Sequence, residues 1–163
     1  MSLMDAPVYN EHREKTKKAL LIGSGVLFAA LVLLTLLGYI MGHGWLFTNL
    51  PAEHKVNNFF NALEAKDYAK AFDIYTADPT AAAHPERHKD YPLARFTQDW
   101  TTDSPVGAPI TSHHVDISRT DGSGTFGSGI IVAVRVNGGK KLFMYYLKKS
   151  GELTEPAPHI LEY

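Results

Sequence analysis

Residues 56–75, VNNFFNALEAKDYAKAFDIY, carry the clearest periodic pattern in the larger part of this chain. Their large apolar side chains recur three and four positions apart, which places them on one face of a helix. These side chains are Val56, Phe59, Phe60 and Leu63, followed by Tyr68, Phe72 and Tyr75. Asp67 interrupts the pattern and can cap a second helix, because its carboxylate accepts a hydrogen bond from a first-turn N–H. The stretch therefore predicts two consecutive helices that bury a shared aromatic face.

Prolines mark the outer limits of this helix pair. Pro51 is expected in the first turn of the first helix, where its missing N–H costs nothing. Asp78-Pro79 is expected to end the second helix, since a residue that precedes proline avoids the helical conformation. The sequence YPLARFTQDW, residues 91–100, predicts a third short helix. Its apolar face comprises Leu93, Phe96 and Trp100.

The C-terminal third of the chain has the apolar period of strands. Residues 112–118 alternate between apolar and polar, and residues 129–136 are almost uniformly apolar, as in a central strand. Residues 142–148 predict a third strand. Turn signals separate these segments, at Asp121-Gly122-Ser123-Gly124 and at Asn137-Gly138-Gly139. Helices followed by an antiparallel meander predict an α+β fold with the helices packed on one face of the sheet.

This order of elements resembles the NTF2-like superfamily, whose domains are cone-shaped and cystatin-like. The resemblance rests on VNNFFNALEAKDYAKAFDIY, then YPLARFTQDW, then hairpin-linked strands, and it covers about residues 51–163. Within that group the chain is most similar to small bacterial membrane-anchored or secreted domains of unassigned function. The resemblance implies about three helices packed on a curved antiparallel sheet. The superfamily includes isomerases, dehydratases, transport factors and non-enzymatic accessory domains, so the fold alone does not give the function.

An apolar segment precedes this domain. Residues 19–41 read ALLIGSGVLFAALVLLTLLGYIM and contain no charge, and a helix of this length can cross a hydrocarbon core of about 30 Å. A cleaved signal peptide is the alternative, but such peptides have an apolar core of about 7–15 residues and a cleavage site that is not evident here. We therefore expect a cytoplasmic tail over residues 1–18, a transmembrane helix over 19–42, a linker over 43–50 and the folded domain over 51–163. Charge pairs among Glu11, Glu14, Lys15 and Lys18 can extend the helix into the tail.

The flanks of the apolar segment predict its orientation. Basic residues are concentrated just before it and the next one follows only at Lys55. They are Arg13, Lys15, Lys17 and Lys18. Positive charge stays on the cytoplasmic side, so the N-terminus is expected in the cytoplasm and the C-terminal domain on the periplasmic face of the inner membrane. The aromatic residues Tyr39, Trp45 and Phe47 suit the exit interface.

Small residues recur four positions apart in the apolar segment. The two pairs are Gly25 with Ala29 and Gly38 with Gly42. Such spacing lets a second membrane helix approach closely, which predicts contacts with other membrane-protein subunits.

Composition excludes several classes of function. The chain carries 16 basic and 17 acidic residues without a basic stripe, so the clustered charge that nucleic-acid binding requires is missing. The chain has no cysteine, which excludes disulfides, thiolate metal sites and cysteine nucleophiles. His84 and His88 lie four residues apart, but Pro85 stands where a zinc protease needs glutamate, so a surface loop is favoured. No metal, cofactor or catalytic group is expected.

One polar strand face suggests an alternative with chemistry. His114 and Asp116 are expected to share a strand face with Ser112 and Ser118, and His113 is expected to point the other way. If that face is concave, the NTF2-like resemblance implies an acid–base pocket. Its conceivable members are Asp99, His114, Asp116, Tyr145 and Tyr146. The simpler interpretation is the solvated face of an edge strand.

The sequence thus predicts a non-catalytic accessory subunit of a larger membrane complex, with a respiratory or photosynthetic assembly as the suggested setting. Its partners would be the lipid bilayer and other membrane subunits. The alternative is a membrane-tethered small-ligand binder, or an enzyme of isomerase or dehydratase type, that uses the pocket. A homodimer formed through the sheet is a further expectation.

Overall fold

The computed structural model of the chain describes residues 10–122 and 127–163. It divides into two compact units, the residues up to Leu37 and the unit Gly38–Tyr163. The predicted α+β class is confirmed, since the described residues form four α-helices and a four-stranded antiparallel sheet.

Helix α1, Glu11–Ile40, has 30 residues, and none of them is buried. It is long and apolar enough to cross a membrane. The extension of the helix into the tail is confirmed. Ion pairs of Lys15 with Glu11 at 2.6 Å and of Lys17 with Glu14 at 3.0 Å lie along its first turns. Asn10 caps the helix, because its Oδ1 accepts the N–H of Arg13 at 3.0 Å.

Three helices belong to the unit Gly38–Tyr163: α2 (Leu46–Glu64), α3 (Tyr68–Thr76) and α4 (Leu93–Asp99). Asp67 caps α3 as predicted, accepting the N–H of Lys70 at 3.1 Å. Helix α2 differs from the prediction. It begins at Leu46, so Pro51 lies inside the helix and residues 46–50 are helical, although they were expected to form a linker.

The predicted ends of the other helices agree with the structure. Helix α3 stops before Asp78-Pro79, with Ala77 in the left-handed conformation at φ 55°. The loop that follows contains two short 3₁₀ turns, Ala81–Ala83 and Pro85–Arg87. In and after α4, Phe96 and Trp100 are buried as expected.

The sheet is a meander in the order β1–β2–β3–β4. The strands are β1 (His113–Thr120), β2 (Gly129–Val136), β3 (Lys140–Leu147) and β4 (Leu153–Thr154). The tight turn between β2 and β3 is confirmed, because Asn137 and Gly138 have φ values of 48° and 76°. The turn predicted at residues 121–124 lies partly outside the described residues.

A β-bulge at Asp116 reverses the faces of β1. Val115 pairs with Val134 and Ile117 with the next residue back, Ala133, so Asp116 is one extra residue in the strand. As a result His113 and Ser118 both bond to side chains of α2, through Glu64 and Glu53 respectively. The expectation that Ser118 shares a face with His114 and Asp116 is wrong, because one added residue shifts the alternation by one position.

Aromatic side chains fill the space between the helices and the sheet. Rings of α2 and α4 meet edge to face, with centroids 5.0 Å apart for Phe59 and Trp100 and 6.2 Å apart for Phe59 and Phe96. They pack with Phe60, Phe72 and the inner face of β2 in one buried cluster. Burying each such side chain contributes about 1.5–3 kcal/mol, so this cluster is the main source of the domain's stability.

Candidate functional site

The chain leaves α1 through a turn that requires glycine. Helix α1 ends at Ile40, and Gly42 follows with φ +90°. A Cβ on Gly42 would lie 2.7 Å from Cγ2 of Ile117, so a side chain does not fit there. Gly42 was expected inside the membrane helix, and this placement is wrong because α1 ends at Ile40. The use of Gly25, Ala29, Gly38 and Gly42 in helix contacts stays a prediction.

A network of polar side chains binds this exit segment to β1, and we call His43, Asn49, Glu53 and Ser118 the junction cluster. The Ser118 hydroxyl donates to Oε1 of Glu53 at 2.5 Å and accepts from Nδ2 of Asn49 at 2.9 Å. Nδ1 of His43 lies 2.8 Å from the same Glu53 oxygen. The backbone contributes as well, since the N–H of Ser118 donates to the carbonyl of Gly42 at 3.0 Å.

Two members of the junction cluster are buried, Asn49 at 1% and Ser118 at 0% exposure, while Glu53 and His43 form its outer side. A neutral hydrogen bond contributes about 1 kcal/mol net, and a bond to a charged group about 1.5–3 kcal/mol. Together these bonds make the segment that follows α1 part of the folded domain, although residues 43–50 were expected to be a linker. Asn49 lies in the first turns of α2, so its bonds also join the early start of that helix to Ser118 on β1. In the sequence, the one indication of this network was Asn49, a polar residue in the largely apolar segment WLFTNL, residues 45–50.

A second polar region is a recess of about 240 Å³ beside α3 and α4, which we call the acidic pocket. It is lined by Tyr75, Tyr91, Arg95, Asp99, Trp100, Asp103, Pro105 and Glu155. Its centre is Asp99, which accepts the Tyr91 hydroxyl at 3.0 Å and pairs with Nε of Arg95 at 2.9 Å.

Burial shifts the titration of several groups in the acidic pocket. Burial, and then the hydrogen bond to Asp99, raises the pKa of Tyr91. Burial also raises the pKa of Tyr75 and the pKa of Glu155. Asp99 is already held by two partners, so Glu155 is the carboxyl group best placed to exchange a proton or to bond with a small polar ligand.

The five residues suggested for an acid–base pocket do not come together. Asp99 alone lines the acidic pocket. His114 is 77% exposed and lies 3.9 Å from Asp116, which bonds instead to groups on the neighbouring strand and the C-terminal tail. Tyr145 donates to Asp121 at 2.6 Å, whereas Tyr146 packs against the core. Adjacent residues of a strand face opposite ways, which separates the two tyrosines.

Asp116 anchors the C-terminal tail to the sheet. The Tyr163 hydroxyl donates to its Oδ2 at 2.7 Å, and Nη2 of Arg135 donates to the same oxygen at 3.1 Å. Burial of Asp116 opposes ionisation, but these two bonds outweigh it and lower the pKa of the carboxyl group. Burial and the bond to Asp116 raise the pKa of Tyr163 to about 12. Tyr163 was not among the predicted site residues, because no local sequence pattern indicates a contact with β1.

The two loop histidines have separate carboxylate partners. Nδ1 of His84 lies 3.1 Å from Glu86, and Nε2 of His88 lies 3.4 Å from Asp78. Hydrogen bonds from Thr80 lower the pKa of Asp78 to about 2. Within residues 10–122 and 127–163, no three histidine, aspartate or glutamate side chains are grouped so that they could hold one metal ion.

No family model matches the chain, and no characterised protein or solved structure matches it either.

Proposed function

We propose that this chain is a non-catalytic accessory subunit of a larger membrane protein complex. In this proposal α1 crosses the membrane with its N-terminus in the cytoplasm, and the domain docks on the extracytoplasmic face of the partner subunits. The observation that carries the proposal is the aromatic filling between helices and sheet. An NTF2-like enzyme or ligand carrier needs an open cone, and here Phe59, Phe96 and Trp100 occupy that space in mutual ring contact.

Two further features support the proposal. The surface of α1 presents small residues at which a second helix could pack, and Gly25 has no neighbouring atom within 4 Å of an added Cβ. The junction cluster also bonds the exit segment to the folded domain, so the domain begins directly after α1.

Extraction from native membranes in a mild detergent tests the proposal. The tag belongs at the N-terminus, because Tyr163 at the other end bonds to Asp116. Pull-down and mass spectrometry are expected to recover larger membrane subunits in fixed stoichiometry. Recovery of the chain alone, at the size of a free monomer, would contradict the proposal.

A matched pair of variants locates the contact. Gly25→Leu places a bulky side chain on the face of Gly25 and Ala29, and we expect it to reduce co-purification. Gly23→Leu is the control, because two residues turn a helix by about 200° and carry the same substitution to the opposite face. Equal loss in both variants would argue against packing on the Gly25 face.

The acidic pocket favours a second candidate function, a membrane-tethered binder of a small polar ligand. Its raised Glu155 pKa and its shielded Asp99 are features of binding sites. Ligand screening by thermal shift on the full-length protein tests this candidate, with Glu155→Gln as the variant. A ligand whose stabilising effect persists unchanged in Glu155→Gln would not be using this pocket.

A further inference from the structure

Exposed apolar side chains of the folded domain are concentrated at one place. Of the large apolar residues that the described part of Gly38–Tyr163 leaves exposed, all but Ile160 and Tyr163 lie between residues 39 and 50. We call this set the interface patch. It comprises Tyr39, Ile40, Met41, Trp45, Phe47 and Leu50. Trp45 is 60% exposed, Phe47 74% and Leu50 53%, values that a water-facing surface seldom combines.

A recess of about 440 Å³ adjoins the interface patch. Its walls are Tyr39, Ile40, Gly42, Trp45, Arg119 and Thr120. The rings of Tyr39 and Trp45 lie 6.1 Å apart, and Arg119 is exposed beside them. No described residue forms a hydrogen bond or an ion pair with the guanidinium of Arg119, so the recess combines one uncommitted cation with aromatic walls.

The short segment between α1 and Trp45 limits how far this recess can lie from the end of α1. Only residues 41–44 separate the end of α1 from Trp45, and even an extended chain covers no more than roughly 18 Å over that distance. The path is shorter still, because the N–H of His43 returns to the carbonyl of Gly38 at 2.9 Å and Gly42 is bonded to β1. If α1 crosses a bilayer, the interface patch therefore lies close to the membrane surface.

We infer that the interface patch lies in the headgroup layer of the membrane and that the recess holds the phosphate of a phospholipid against Arg119. The inference rests on the membrane anchoring proposed above. A guanidinium binds phosphate oxygens through paired N–H groups, and Trp and Tyr rings prefer the level of the headgroups. Phe47 and Leu50, on the first turns of α2, enter the same layer. The domain thus contacts the membrane surface directly, in addition to being anchored by α1.

Fluorescence quenching in nanodiscs tests the position of the patch. Trp45 is exposed and Trp100 is buried, so quenchers attached to lipids report on Trp45. Full-length protein in phosphatidylcholine discs is expected to be quenched more by labels near the headgroup than by labels deep in the acyl chain. Trp45→Phe is the control and should abolish the response. A protein that enters the discs but shows no quenching has a water-facing or protein-binding patch, which overturns the inference. Failure to enter the discs would overturn the anchoring instead.

Titration of the protein in maltoside micelles tests the role of Arg119. Short-chain phosphatidylglycerol is added, and the emission of Trp45 reports binding. Arg119→Gln is expected to weaken the apparent affinity about tenfold, the effect of losing a charged hydrogen bond. Arg119→Lys should fall between Arg119→Gln and the unmodified protein.

Lys149→Gln removes one exposed positive charge that does not line the recess and should leave the affinity unchanged. Inorganic phosphate forms a separate arm of the experiment. The same response to phosphate alone would overturn the assignment to lipid, and equal weakening in Lys149→Gln would overturn the specific role of Arg119.

Discussion

The junction cluster and the acidic pocket are both polar and both built around carboxylates, yet they differ in how fully their groups are bonded. In the junction cluster, Glu53 and Ser118 bond to each other and to further partners, and Ser118 is fully buried. In the acidic pocket, Asp99 is held by Tyr91 and Arg95, but the Glu155 carboxyl bonds to no residue within 10–122 or 127–163. A fully bonded network fixes structure, whereas a partly buried carboxyl without a partner retains the capacity to bind.

The largest expected effect is in the junction cluster. Ser118→Val leaves Asn49 and Glu53 without their shared partner, so we expect a loss of roughly 2–3 kcal/mol in the free energy of unfolding. Chemical denaturation of the full-length protein in micelles measures it. Ser112→Val is the control, because Ser112 is exposed just before the same strand. Similar losses in both variants would mean that the network contributes little.

A smaller loss of stability is expected when the hydrogen bond from Tyr91 to Asp99 in the acidic pocket is removed. Tyr91→Phe removes the hydroxyl that donates to Asp99 but leaves the Arg95 pair in place, which should cost about 1 kcal/mol. The same denaturation experiment applies. Tyr68→Phe is the control, since the Tyr68 side chain packs against the core. If Tyr91→Phe is no more destabilising than Tyr68→Phe, the Tyr91 bond does not support the pocket.

Glu155→Gln is expected to stabilise the protein, by less than about 1 kcal/mol, at neutral pH. Burial raises the pKa of Glu155 in the folded protein. The protonated carboxyl group is therefore favoured by folding, and this contribution to the free energy of unfolding is present at acid pH and is lost as the pH rises through the folded-state pKa. The advantage of glutamine should therefore be seen at pH 7 and disappear below about pH 4. Melting temperatures across this pH range measure it, with the exposed Glu162→Gln as the control. A destabilising Glu155→Gln would show that the carboxylate has a partner after all.

The smallest effect is expected at the C-terminus, outside both regions. Tyr163→Phe removes one exposed bond to Asp116 and should cost only a few tenths of a kcal/mol near neutral pH. The pKa of Asp116 is lowered in the fold, so the contribution of its bonds is present above about pH 4 and is lost on acidification. The raised pKa of Tyr163 adds a contribution that is present below about pH 10 and is lost toward pH 12. Denaturation at pH 3, 7 and 11 checks both limits, and a Tyr163→Phe effect that stays constant over this range would contradict them.

Local signals explain what could be predicted of the fold. Asp67 caps α3 from within its own turn, and Asn137-Gly138 forms a hairpin through its own backbone preference. The strand β2 was predicted at Gly129–Val136 because its apolar run is bounded by turn residues on either side. Each of these features depends on residues a few positions apart.

Contacts between distant residues explain what was missed. Asn49 and Ser118 are 69 positions apart, and their bond joins the unexpected first turns of α2 to β1. Tyr163 reaches Asp116 across 47 positions and creates a cluster that no periodicity indicates. The candidate pocket failed for a related reason, because the five suggested residues belong to different faces and elements that one-dimensional spacing does not distinguish.

The bulge at Asp116 decides which way Ser118 faces. Val115 and Ser118 lie opposite Val134 and Val132, both in the core, and the Ser118 hydroxyl reaches Glu53 and Asn49 because Asp116 is an extra residue outside the alternation. Deleting Asp116 alone would keep Ser118 opposite Val132 and would remove only the carboxylate that holds Tyr163. Along this strand, in-frame loss of that one codon therefore spares the junction cluster, whereas a strand of the same length in which Asp116 paired regularly would leave every member of the cluster encoded and still turn Ser118 away.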